Sequence, residues 1–162
     1  MKIVGNNVEK HEAQLIAGYT RQCIKLLRRK EYELNLPAGA ADAAYTRLEV
    51  KNRARSSSSA CADFIRINLG YWQVGNWTHT EYASFNKHPT IGEIMVSDKY
   101  DHWRIAVAHE VAHYVQYRYC PRVHRFKKTW RKPHGECFKQ VYGYLRRDLV
   151  NPIIEEKLSH GI

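Results

Sequence analysis

The stretch Asp101-His102-Trp103-Arg104-Ile105-Ala106-Val107-Ala108-His109-Glu110-Val111-Ala112-His113-Tyr114-Val115-Gln116-Tyr117 decides how the rest of the chain reads. It holds neither Gly nor Pro, so one helix can run through it and stop near Cys120-Pro121. Ile105, Ala108, Ala112 and Val115 recur at helical spacing beside the two histidines, which brings the His face close to the buried face. His109 and His113 stand one turn apart on that face, so two imidazoles point at one spot and can share a metal ion. Glu110 projects beside the spot, where it can hold a water on the ion. The plainer alternative is a surface helix with two solvated histidines. The apolar neighbours argue against it.

The chain has 162 residues, which points to one domain. Its 44% hydrophobic and 12% aromatic residues, eleven Tyr among them, are enough to build a core. The net charge of +10 is not ordinary and suggests an acidic partner such as nucleic acid; a basic surface serving only solubility is the alternative. The four cysteines, Cys23, Cys61, Cys120 and Cys137, form no C-x-x-C pair, and their scatter predicts free buried thiols. Met1 to Asn7 has no apolar signal core, and no apolar run approaches a membrane span. A soluble protein, cytoplasmic or nucleoid-associated rather than secreted, is therefore expected.

Periodicity predicts a first helix from Val8 to about Arg29, capped by Asn6 or Asn7, with basic residues in its last turns. Tyr45 to Lys51 and Phe64 to Leu69 alternate as strands and read as an antiparallel hairpin with a long polar loop. Ile65, Ile67 and Leu69 share one face. The loop bases Lys51, Arg53 and Arg55 read first as a solvated basic tip. Trp72 and Trp77 read as plugs at a core edge. Thr80 to Phe85 is a candidate third strand, read as the one that borders the cleft beside the motif helix. Ser97, Asp98 or Asp101 caps the central helix. Phe138, Val141, Tyr142, Leu145 and Leu149 mark a last amphipathic helix, which Asn151-Pro152 is expected to break. The organisation predicted is one domain over residues 1–150 and a short tail over 151–162.

Two histidines do not complete a catalytic metal site; a third protein ligand is needed, with the fourth position left for water. Tyr119 stands where a metzincin has its third His, which excludes that class. His124, His134 and Glu136 remain as candidates, and the last two sit near the start of the final helix, where a side chain can face back across a cleft.

His109-Glu110-Val111-Ala112-His113, followed after twenty residues by His134-Gly135-Glu136-Cys137-Phe138, resembles the SprT-like (Spartan-type) zinc metallopeptidases, which pair His-Glu-x-x-His with a His-Gly-x-x-Phe element. The resemblance covers about residues 45–150 and lacks the C-terminal zinc ribbon of some members. It implies an α+β, zincin-like fold: a small antiparallel or mixed sheet packed on an N-terminal helix, the active-site helix and a C-terminal helix. It makes His134 the third ligand of one catalytic Zn2+; Glu136 stays as second choice, since a Glu on a following helix completes the site in gluzincins. It also implies that Gly135 allows a tight turn and that Phe138 packs the last helix under the site. The activity implied is endopeptidase cleavage of DNA-associated or DNA-crosslinked proteins, with Glu110 as general base toward a metal-activated water. Tyr114 and Tyr142 are possible oxyanion donors, though core packing is the first reading of both.

The connection after the motif carries Arg118, Arg122, Arg125, Lys127, Lys128, Arg131 and Lys132 without one acid, interleaved with Tyr117, Tyr119, Phe126 and Trp130. Basic groups neutralise phosphates and aromatics stack on exposed bases, so Arg118, Arg122, Arg125, Lys127, Lys128, Trp130, Arg131 and Lys132 are candidate contacts to single-stranded or damaged DNA. Two other readings stay open: a nucleic-acid-binding protein with a structural zinc site, and a zinc peptidase with one dedicated target such as a repressor.

Overall fold

In the computed structural model the described residues are 2–34, 47–53, 57–71, 78–79, 85, 88–119 and 133–161. The fold they form is α+β, with a small mixed sheet and three helical bodies. Strands β1 (Lys2–Asn6), β2 (Arg47–Lys51), β3 (Ser59–Ala60) and β4 (Phe64–Asn68) make a four-stranded sheet in the order β1-β2-β4-β3. Alternation does its expected work in β2 and β4. Leu48 and Val50 pair in register with Ile65 and Ile67, and all four are fully buried. Such side chains each contribute about 1.5–3 kcal/mol by leaving water. On the opposite face Glu49 accepts a hydrogen bond from Arg66 Nε at 2.9 Å and pairs with Lys51 at 3.2 Å.

Two expectations fail here. β2 and β4 are parallel, not an antiparallel hairpin. A parallel pair needs a returning connection, and the Ser-rich segment supplies it by folding back as β3, antiparallel to β4. Arg53 is drawn into that return: its backbone N–H and C=O both bond the Asn68 side chain. Gly70 seals the crossing, because a Cβ there would lie 2.7 Å from Asn52 Oδ1. The second failure is β1, which the sequence reading missed and which lies parallel to β2 along its full length.

Helix α1 (Lys10–Leu27) matches its periodicity, but its cap is Glu9, whose backbone N–H donates to Glu12 Oε2 at 3.4 Å. Asn7 instead takes a left-handed φ of 55° at the turn out of β1. Helix α2 (Lys99–Arg118) carries the His-Glu-x-x-His motif and packs on the sheet, on α1 and on the next helix. It is therefore buried almost all round, Ile105, Ala108, Ala112 and Val115 included. Asp98 caps it, accepting from the backbone N–H groups of Tyr100 and Asp101. A second small sheet, β5 (Thr78–His79) against β6 (Ile94–Met95), precedes it. Of the candidate strand over 80–85, only Phe85 falls among the described residues. No described helix is long and apolar enough to cross a membrane.

Helix α3 (Glu136–Leu145) does not end at Asn151-Pro152. It opens into a π-turn over Arg146–Val150 and continues as α4 (Asn151–Ser159). The wide turn comes just before Pro152, so the ring, which lacks an N–H and clashes with a regular preceding turn, sits where a new helix starts. The supposed tail is thus a helix, anchored in the core by Ile154.

Lys157 of α4 ties back to α2, with Nζ 2.7 Å from Asp101 Oδ1 and 3.0 Å from Asp98 Oδ2. Burial works against charge on Asp101, but hydrogen bonds from Lys157 and from the Ser97 backbone and hydroxyl outweigh it and hold the carboxyl below its usual range. A carboxyl depressed by folding stabilises above its unfolded pKa of about 3.9, and that stability is lost as pH falls through the folded value. Asp101→Asn is expected to cost about 2 kcal/mol at pH 7 and to flatten the loss of stability below about pH 4. Urea unfolding across pH checks this; equal costs at pH 7 and pH 3 would refute it.

Candidate metal centre

One turn of α2 sets His109 and His113 on the same face, and His134, two residues before α3, brings the third imidazole to them. His134 Nε2 lies 3.1 Å from His109 Nε2 and 3.0 Å from His113 Nε2. One ring nitrogen facing two others cannot satisfy both with a single proton. A tetrahedral ion with bonds of about 2.0–2.1 Å sets its donors about 3.3 Å apart, close to this spacing. His109, His113 and His134 therefore form a group that can hold a metal ion.

The backbone shows how His134 reaches the site. It adopts φ 59°, a left-handed conformation uncommon for a residue with a Cβ, and such outliers concentrate at functional positions. The tight turn expected at Gly135 is thus made at His134; Gly135, at φ −74°, caps α3. Phe138, one turn into α3, packs its ring 4.3 Å from His113, 4.8 Å from His134 and 4.9 Å from His109, centroid to centroid. Phe85 backs this wall, stacked at 5.9 Å on Phe138 and edge-on to His134. The sequence reading took Phe85 only as the end of a strand, and nothing in its local pattern signals this role. The turn over 88–92 closes against the far side of α3 at Gly143, where a Cβ would meet His88 Cε1 at 3.3 Å. Buried Arg146 holds that turn, donating to the carbonyls of Ile91 and Gly92.

The electrostatics suit a cation. Burial, then the neighbouring imidazoles, push His109 well below its ordinary value. Burial and His134 bring His113 down to about 4. Both of these rings therefore favour the neutral form that metal ligation requires. Gln116 Oε1 lies 3.2 Å from His113 Nδ1. Tyr117 stacks on His113 with ring centroids 5.7 Å apart. Glu110 is buried, its Oε2 has no hydrogen-bond partner among the described residues, and burial raises its carboxyl to about 8. A buried carboxylate oxygen without a partner is costly, and a nearby cation and water relieve that cost.

The other candidates separate. Glu136, the second-choice ligand, is exposed and pairs with Lys139 at 3.9 Å. Cys137 is disulfide-bonded, against the expectation of free thiols, while Cys23 and Cys61 are free. Tyr114 is core, edge-on to Tyr119, and the Tyr142 hydroxyl accepts from Arg146 Nη1 at 3.2 Å. Arg118 donates to the Ala62 carbonyl at 2.7 Å and lies 3.7 Å from Asp63, joining the end of α2 to the β3–β4 turn. His124, Arg122, Arg125, Lys127, Lys128, Trp130, Arg131 and Lys132 lie outside the described residues.

Compared with known proteins, the chain matches no family model, no curated protein and no solved structure.

Proposed function

We propose that this chain is a zinc-dependent endopeptidase of the SprT-like, zincin type, acting on proteins associated with or crosslinked to DNA. One observation carries the reading. Two imidazole nitrogens, of His109 and His113, lie 3.0–3.1 Å from a third, His134 Nε2, and the residue after His109 is a buried glutamate with an oxygen that has no partner among the described residues. Zinc is favoured by the all-nitrogen donor set. Bound there by His109, His113 and His134, it supplies Lewis acidity toward a peptide carbonyl and a water of lowered pKa. Glu110 Oε2 takes the proton from the attacking water and passes it to the leaving nitrogen. Phe138 and Phe85 keep the ligand rings fixed and bulk water away from them.

Catalysis needs an open coordination position, whereas a structural zinc has four protein ligands. Two residues that could fill that position are otherwise engaged, which favours the open form: Glu136 faces solvent, and the sulfur of Cys137 is in a disulfide. The DNA part of the reading rests on the net charge of +10 and on the acid-free run from Arg118 to Lys132.

The test is to incubate zinc-loaded protein with a DNA-binding protein substrate, with and without single-stranded DNA, and with a chelator. Cleavage stimulated by DNA and abolished by the chelator is expected. Chelator-sensitive cleavage indifferent to DNA would favour a peptidase with one dedicated target. Zinc retention without cleavage of any substrate would favour a nucleic-acid-binding protein.

A further inference from the structure

We propose that Gln116 is a positioning residue for the metal centre: its side-chain oxygen accepts the Nδ1–H of His113 and so fixes the tautomer that presents Nε2 to the ion. This rests on the metal-site reading above and names a partner for one of its ligands.

The geometry is local and helical. Gln116 follows His113 by three positions on α2, which places the two side chains on one face. The amide is buried, and its Oε1 stands 3.2 Å from His113 Nδ1. His113 Nε2 points the other way, toward His134 Nε2 at 3.0 Å. A neutral imidazole has one N–H and one lone pair. If Nε2 is to donate its lone pair to an ion, Nδ1 must carry the proton, and a buried N–H needs an acceptor. Only the oxygen of the Gln116 amide can play that part, which also settles which way the amide points. With the proton on Nε2 instead, the lone pair would face Gln116 and be lost to the metal.

Partners of this kind orient a ligand ring and raise its basicity, and losing one typically weakens metal affinity 10- to 100-fold. A neutral amide does this without adding a further buried acid to a helix that already buries Asp101 and Glu110. Tyr117, stacked on the face of the same ring, restrains its tilt and leaves the torsion and tautomer to Gln116.

Zinc affinity measured by competition with a chromogenic chelator tests the proposal without any peptidase assay. Gln116→Leu keeps the bulk and removes the acceptor, and it is expected to weaken zinc binding by about 10- to 100-fold. Gln116→Glu restores an oxygen at the same place and is expected to regain most of that loss. Wild-type affinity in Gln116→Leu, or no recovery in Gln116→Glu, would overturn the proposal. Nitrogen NMR of the zinc-loaded wild type reads the tautomer directly, whatever the variants do to folding. A slowly exchanging Nδ1–H on His113 is expected, and a rapidly exchanging one contradicts it. Absence of zinc binding by the wild type defeats the metal-site reading itself, an outcome distinct from tight wild-type binding that Gln116→Leu leaves unchanged.

Discussion

Glu110→Gln is expected to keep the bound metal and to lose peptide hydrolysis by about 10²- to 10⁴-fold, the range a positioned general base supplies. The substitution preserves shape and removes the basic oxygen. None of the three converging nitrogens belongs to Glu110, so metal content should match that of the wild type. Stability supplies an internal control. Burial raises the Glu110 carboxyl to about 8, so near neutral pH the metal-free fold must take up a proton there, a cost that a permanently neutral amide avoids. The metal-free variant should melt at or above the wild-type temperature. Loss of cleavage can then be assigned to chemistry rather than to unfolding. Metal analysis, calorimetry and a gel-based cleavage assay decide it, and undiminished cleavage by Glu110→Gln sinks the mechanism.

His134→Ala should abolish metal retention in gel filtration, because two imidazoles on one helix turn are left without the third that closes the set. The effect must be separated from backbone strain. His134 stands at φ 59°, a strain that alanine shares, so the metal-free variant is expected to lose only the packing of the ring on Phe138 and Phe85, about 1 kcal/mol. His134→Asn tolerates that conformation better and should lose the metal while keeping metal-free stability. Glu136→Ala is the matched control, two residues along and exposed, and should bind zinc as the wild type does. Retention of zinc by His134→Ala with its loss in Glu136→Ala would reassign the third ligand.

How much of this was legible depends on the range of the interaction. Along α2, the 3.6-residue period set both histidines beside a buried face, and the same period placed Gln116 against His113, although its type gave no hint of a role. The alternation in β2 and β4 identified their buried residues but not their relative direction, because direction depends on two residues of β3 in a Ser-rich stretch of low strand propensity. The break expected at Pro152 ignored a π-turn, which no local pattern in Arg146 to Val150 announces. His134 emerged from three candidates by resemblance rather than by spacing. Its reach depends on a left-handed backbone that its residue type does not predict. The disulfide at Cys137 was illegible for the usual reason, that pairing is a fact of three dimensions.

The ligands of the metal centre come from two distant parts of the chain: His113 and His134 are 21 positions apart. An ion shared between them would therefore act as a clasp, whatever its chemistry. It binds only where α2 and the start of α3 are already assembled, so its binding energy adds to the folding energy, by about 4 kcal/mol when free metal exceeds the dissociation constant a thousandfold. On the metal-site reading proposed above, a chain kept free of metal should therefore be less stable by the same amount, which thermal unfolding with and without a chelator would read.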